Sequence, residues 1–285
     1  MSNFKVGMLT DGFKLDLRSG IAKAASLGAK GVQVYAVEGE MHYSNLSAQA
    51  RKDLLHYTQD QGLVFSALCG DPGGHGFAVK EENPARVEMS KRILDLALDL
   101  ECNVVTTHIG CVPETFDNET YEAMASACGQ MSEYANSMGG HFAIETGPEP
   151  SDLLRRFLDT LPGKGVGVNF DPANLAMVIG EDIPQAVRNL GPYIVHTHAK
   201  DGRMLRKGRR EVIYGVFAEE GIESLGKEPY FIETPLGQGS VPWKEYLAAL
   251  EEVGYHGFLT IERELGADPA ADMAMAVGFL ENLIG

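Results

Sequence analysis

Short apolar runs alternate with longer amphipathic stretches along the whole chain. Eight runs read as strands: Lys5–Leu9, Gly31–Ala36, Leu63–Leu68, Asn103–Thr107, His141–Glu145, Gly165–Phe170, Tyr193–His198 and Gly257–Ile261. They are short and mostly apolar, as parallel strands covered on both faces are. Helical spacing appears between them. Leu17–Leu27 carries Ile21, Ala24, Ala25 and Leu27 on one side, and Ala85–Leu100 carries Val87, Ile93, Leu94, Ala97 and Leu98. Tyr121–Met138 and Trp243–Val253 show the same period. Ser47 and Asp152 stand where helix caps belong, and Pro242 suits a first helical turn. Gly28–Val32 and its echo Gly254–Phe258 read as a helix stop followed by a strand start.

Eight β/α alternations in 285 residues are the count and size of an α/β protein of the (β/α)8 TIM-barrel class. An open doubly wound sheet is the competing architecture, and the absence of a glycine-rich phosphate fingerprint after the first strand weakens it. No linker divides the chain, so a single domain over residues 1–285 is expected. Its irregularity is a long connection after strand seven, Asp201–Ser240, with the basic cluster Arg203, Arg206, Lys207, Arg209 and Arg210. An idle insertion of that length is uncommon, so it should cover part of the barrel mouth or make an oligomer contact.

Composition narrows the partners. Apolar residues make up 44% of the chain, enough for a large core, and the net charge is -16. So acidic a chain argues against nucleic acid, which needs a basic footprint. Cys69, Cys102, Cys111 and Cys128 form no CxxC pair and read as reduced thiols. Neither a signal peptide nor an apolar run of membrane-spanning length is visible, so a cytoplasmic protein is expected, with a homo-oligomer left open.

The candidate chemistry sits at strand ends. Glu145, Asp171, His198 and Glu262 stand at the C-terminal tips of strands five to eight, where a barrel builds its active site. Singly, each has an ordinary reading: a surface acid, a turn former before Pro172, a hydrogen-bonded histidine. Together, three carboxylates and an imidazole suit one hard divalent ion, with Mn²⁺ expected and Mg²⁺, Co²⁺ or Zn²⁺ also fitting. Asp11, Gly12 and Phe13 follow strand one, and Gln33 and Tyr35 lie on strand two. His108 at strand four and His75, in the glycine-rich stretch Gly70–Gly76, are candidate substrate contacts or supports for the ligands. Lys200 and Arg203 could capture an anionic group, or belong to a solvated loop.

Several motifs resemble the xylose isomerase-like TIM barrels, nearly end to end. They are Ala-Ile-Glu-Thr-Gly (143–147), Asn-Phe-Asp-Pro-Ala-Asn (169–174), His-Thr-His-Ala-Lys-Asp (196–201), Pro-Leu-Gly-Gln-Gly (235–239) and Thr-Ile-Glu-Arg-Glu (260–264). That group includes sugar phosphate isomerases/epimerases, ketose 3-epimerases, inosose dehydratases and endonuclease IV enzymes. The resemblance implies metal ligands at Glu145, Asp171, His198 and Glu262, with His196 deeper on the same face and Glu264 further out. One departure is Asn174, a candidate substrate contact standing where many ketose epimerases and the repair enzymes carry a histidine. This argues against a multi-zinc endonuclease and requires the substrate to be gripped otherwise.

The implied activity is a metal-dependent isomerisation or epimerisation of a sugar or sugar phosphate. Glu145 and Glu262 would move protons at the carbon α to a carbonyl, through a metal-stabilised enediolate. A dehydratase on the same site is the alternative. A non-catalytic sugar-binding subunit and a metal endonuclease are weaker ones.

Overall fold

The computed structural model describes residues 3–220 and 229–285. Its strands are β1 (Lys5–Leu9), β2 (Gly31–Tyr35), β3 (Val64–Cys69), β4 (Val104–Thr107), β5 (His141–Glu145), β6 (Val166–Phe170), β7 (Ile194–Ala199), β8 (Asp201–Met204), β9 (Phe231–Thr234) and β10 (Phe258–Ile261). All but β8 and β9 pair in parallel and close on themselves, β10 bridging β7 and β1. The fold is a (β/α)8 barrel. Each barrel strand starts and ends within a residue of the span expected from its apolar run.

The outer layer is built from α1 (Leu17–Ser26), α2 (Ala48–Asp60), α3 (Asn83–Asp99), α4 (Glu119–Met138), α5 (Ser151–Leu158), the short α6 (Pro172–Asn174), α7 (Ile183–Leu190), α8 (Arg210–Glu220), α9 (Trp243–Glu252) and α10 (Pro269–Ile284). Ser47 caps α2, its hydroxyl accepting from the Ala50 amide. Asp152 does not cap. Pro150 precedes α5, so Asp152 falls in the first turn, where its charge opposes the positive helix end without a capping bond. Pro242 lies just before α9 rather than in its first turn.

Strand periodicity sorts the barrel interior into levels. Ala67, Val104 and Ala143 form a small apolar cluster separate from the main core between strands and helices. Two residues further along their strands stand Cys69, Thr106 and Glu145, on the same faces. Above the apolar level lies a buried polar one. Gln33 Nε2 donates to Thr106 Oγ1 (3.0 Å), Asn169 Oδ1 meets His196 Nδ1 (2.9 Å), and Thr260 Oγ1 meets His196 Nε2 (3.0 Å). His196 is therefore a satisfied interior histidine two residues below His198. Burial in particular pushes its imidazole well below the usual range, so it is neutral.

The connection after β7 is not idle. β8 and β9 form an antiparallel pair, and α8 lies between them in sequence. Asp201 ties this excursion to the barrel. Its buried carboxylate accepts from the backbone amides of Gly202, Gly237, Gly239 and Val241 and from Trp243 Nε1, at 2.9–3.2 Å. A Cβ on Gly239 would lie 1.9 Å from Asp201 Oδ1, so only glycine lets the two backbones approach this closely.

Candidate active site

Glu145, Asp171, His198 and Glu262 are all buried, and one donor atom from each lies within 4.8 Å of the others. β5, β6, β7 and β10 deliver them side by side, because adjacent parallel strands bring their C-terminal ends to one rim. His198 Nδ1 is 3.0 Å from Glu262 Oε2, 3.4 Å from Asp171 Oδ2 and 3.6 Å from Glu145 Oε1. Yet His198 Nδ1, Asp171 Oδ2 and Glu262 Oε2 make no hydrogen bond. Buried polar atoms of this kind are normally partnered. Three such atoms converging with a further carboxylate fit a cation in their midst.

The surroundings fix each donor. His198 Nε2 lies between Gln33 Oε1 (3.1 Å) and Asn169 Nδ2 (3.2 Å), which turns Nδ1 toward the carboxylates. Burial would lower its imidazole, but the Glu262 and Glu145 charges hold it well above the usual range. Asp171 is locked through its backbone, which exchanges two bonds with the Thr146 hydroxyl at 2.7 and 2.9 Å. Glu145 accepts from Asn169 Nδ2 (3.1 Å) and Asn174 Nδ2 (3.0 Å). Asn174 thus takes a definite role, orienting a ligand carboxylate. Lys200 Nζ lies 3.0 Å from Glu262 Oε2 and 2.6 Å from Glu264 Oε2.

Burial opposes ionisation of Glu145 and Glu262, but neighbouring positive charge wins. His198 and His108 hold Glu145 below its ordinary range, and His198 with Lys200 brings Glu262 to about 2. Both are carboxylates at neutral pH. Glu264 goes the other way, to about 7, because burial outweighs its bond to Lys200.

These residues open onto a cavity at the barrel mouth. Gln33, Tyr35, His108, Asn174 and Lys200 line it, as the strand positions suggested. Asp71 holds His108 through its Nδ1 at 2.8 Å, and His108 Nε2 faces Glu145 Oε1 at 3.8 Å. Burial alone would deprotonate His108. The Glu145 and Asp71 charges overcome it and raise the imidazole to about 10.

Two expected contacts lie elsewhere. His75 does not line the cavity and sits 3.5 Å from Glu219 on α8. Arg203 is exposed and donates to the Gln238 carbonyl, outside the cavity. By the period of β8, Arg203 shares the face of Asp201, but there β8 has run out of the barrel into the two-stranded ribbon, where that face is exposed.

Ile213, Tyr214, Phe217 and Phe231 form an apolar wall facing the ligands, and the sequence reading missed them. They come from α8 and β9, inside the long connection. Tyr214 Oη reaches the Gly74 carbonyl (3.3 Å), so α8 also rests on the glycine-rich loop. Only the length of the connection hinted at this wall. Asp71 was missed as well, although an acid directly after the Gly70 strand end was a visible signal.

Residues 21–283 match the family model described as Xylose isomerase-like TIM barrel. The uncharacterized protein MJ1311 of Methanocaldococcus jannaschii is 25% identical over 208 residues, which cover 68% of this chain and 62% of that protein. The chain thus spans under two thirds of that relative's length. A xylose isomerase domain protein from Planctomyces limnophilus superposes with a TM-score of 0.79 at 26% identity, covering 98% of this chain and 96% of the other. A D-psicose 3-epimerase crystallised in the presence of D-fructose shares the fold, with a TM-score of 0.73 at 17% identity over 99% of this chain and 100% of the other. With a closed eight-strand barrel and a family match over nearly its whole length, the chain belongs to the xylose isomerase-like TIM barrels.

Proposed function

We propose that the protein is a divalent-metal-dependent sugar isomerase or epimerase that moves a proton at the carbon next to a carbonyl. The observation that carries this reading is the convergence of four buried donors, three of which have an atom without a hydrogen bond. Glu145, Asp171, His198 and Glu262 would hold the ion. Three oxygen donors and one nitrogen favour Mn²⁺, with Mg²⁺, Co²⁺ and Zn²⁺ compatible. When bound, such an ion supplies positive charge where the substrate oxygens become negative.

The chain's own groups account for the rest. Glu145 and Glu262 stand on strands separated by β6 and β7, so they approach a bound substrate from different sides. Each is ionised and able to accept a proton from carbon. Removal by one and return by the other would invert the centre. Transfer along one face between neighbouring carbons would instead exchange aldose and ketose. Asn174 and Asn169 hold Glu145 in place, and Lys200 does the same for Glu262. His108, held by Asp71, offers its Nε2–H to a substrate oxygen beside Glu145. The resemblance to a D-psicose 3-epimerase structure is consistent with this chemistry, although at 17% identity it speaks for the fold.

The test is proton exchange at carbon. Metal-loaded protein, a panel of ketoses, aldoses and keto-inositols, and D₂O as solvent should give deuterium at the α carbon, read by NMR. Glu145→Gln and Glu262→Gln should each slow that exchange by about 10²–10⁴, with metal content checked in parallel. Conversion of a substrate with no deuterium uptake, and with both variants active and metal-loaded, would refute the reading. Loss of a hydroxyl from the product would redirect it to a dehydratase.

A further inference from the structure

We infer that a second pocket, beside the mouth and outside the ligand set, binds a small oxyanion of the phosphate class on Arg210 and Lys207. The inference goes beyond the sugar reading and does not rest on it, because this pocket shares Val178 with the cavity and none of the four metal-type donors.

The pocket is built where the long connection crosses the Leu175–Ile179 segment. Val178, Ile179 and Met204 give it an apolar floor, and Lys207, Arg209 and Arg210 bring positive charge. Tyr230 shapes the loop that carries them. Its carbonyl accepts from the amides of Leu205 (2.8 Å) and Arg206 (3.1 Å), and its ring takes the Arg206 guanidinium at 3.9 Å. A Cβ on Gly208 would lie 2.5 Å from that ring, so the chain passes against Tyr230 and onto the pocket.

Arg210 carries the inference. Its side chain is 10% exposed, and its Nη1 is buried with no hydrogen bond. A buried guanidinium N–H without an acceptor is costly and normally has a partner. Glu211 lies 3.0 Å from Nε, on the other edge of the guanidinium, and so does not answer Nη1. Glu149 feels the Arg210 charge, but burial outweighs it and raises that carboxyl to about 7, which makes it an incomplete counter-charge at neutral pH.

Two carboxylates also line the pocket and oppose an anion. Glu114 is exposed, and Glu211 is committed to Arg210 and, at 3.6 Å, to Arg209. Three cations therefore face two carboxylates here, whereas the mouth sets Lys200 and His108 against Asp71, Glu145, Glu262 and Glu264. The start of α8 adds to the positive side: the Val212 and Ile213 amides close onto the Arg209 carbonyl, so the positive end of the helix lies at Arg210. A guanidinium edge, an ammonium and a helix start together suit a phosphate group. The apolar floor would take the carbon part of a small phosphate monoester. Arg210 stands one turn before Ile213 and Tyr214, so an anion held there would fix the first turn of the helix that walls the mouth.

Isothermal titration of the full chain loaded with Mg²⁺, at fixed ionic strength, tests this with orthophosphate and glycerol phosphate as probes. One equivalent of at least one probe is expected to bind. Arg210→Gln should weaken it at least about tenfold, as loss of a charged hydrogen-bond donor does. Asp171→Asn should leave it intact, which separates this pocket from phosphate resting on a metal ion in the mouth. Tighter binding of glycerol phosphate assigns the site to a monoester, and equal or tighter binding of orthophosphate assigns it to the free ion. Failure of both probes to bind, affinity unchanged in Arg210→Gln, or binding lost in Asp171→Asn would overturn the inference. If Arg210→Gln does not fold, Lys207→Glu decides, since Lys207 is exposed: a loss of about tenfold upholds the site and unchanged affinity overturns it.

Discussion

The two sides of the cavity are built on different physical terms. On the side of β5, β6, β7 and β10, hydrogen bonds to neighbouring groups orient the donors around three ligand atoms that have no hydrogen bond, and the ligand set is buried to 7% exposure or less. On the opposite side, Ile213, Tyr214 and Phe217 come from a helix that belongs to no barrel unit and rests on a glycine-rich loop. Gly73, Gly74 and Gly76 of that loop adopt positive φ, a conformation glycine allows at little cost. Chemistry that depends on ångström placement sits on rigid strand ends. Contacts that decide which molecule fits sit on inserted elements that can change without disturbing the barrel.

The sharpest way to break this comparison is to disturb the fixed side. Asp171→Asn keeps the backbone and the Oδ1 acceptor for the Asn174 amide but removes a ligand charge. Its metal affinity should fall by more than the roughly 10–100-fold expected for an outer partner such as Gln33→Leu, measured by metal analysis after dialysis. Asp171→Asn with full metal occupancy would remove Asp171 from the ligand set.

Asp201 joins the two sides, since it ties the β8–β9 excursion to the barrel. Asp201→Ala leaves its donors unpaired, so it should cost about 3 kcal/mol of stability by chemical denaturation. A loss below about 1 kcal/mol would mean that water replaces the carboxylate easily.

Changes on the apolar side should act on binding instead. Phe217→Ala should raise KM about tenfold and leave kcat nearly unchanged, because the ring shapes the site without touching the ligand set. An equal fall in kcat would place Phe217 in the reacting geometry and erase the distinction between the two sides.

Glu149, away from the ligand set, acts through pH instead. Burial raises its carboxyl from 4.5 to about 7, against the pull of Arg210 at the start of α8. The folded state then keeps a proton that the unfolded chain releases. Stability should therefore decline as pH rises from about 4.5 to 7, by no more than about 3 kcal/mol. Glu149→Gln should flatten that slope, read from denaturation at pH 5 and pH 8. An unchanged slope would show that Glu149 is already ionised in the fold.

Much of the barrel was legible in the sequence because its rules are local. Period two along a strand carries Asn169 and Asp171, or His196 and His198, to the same face, and parallel strands need apolar residues on both faces. Apolar runs therefore located all eight barrel strands, and their ends located Glu145, Asp171, His198 and Glu262. The cavity wall was not legible. Tyr214 and Phe217 lie in a segment with no barrel period, and contacts with the Gly70–Gly76 loop, with Leu175–Ile179 and with the His108 ring hold α8 over the mouth. His75 and Arg203 went astray for the same reason. Residue type suggested binding, but side-chain direction in a loop or a two-stranded ribbon depends on partners far away in sequence. For His75 that partner is Glu219, and for Arg203 it is Gln238.

The sequence by itself determined the fold class and which four residues end the strands, because backbone pairing and burial repeat with fixed periods. Only the tertiary structure decided that those residues converge within 4.8 Å, that Gln33 contacts His198 Nε2 across 165 positions, and that Asp201 ties the long connection to the barrel. Convergence of that kind comes from closing the barrel, and closure sets distances between residues that no local pattern along the chain can encode.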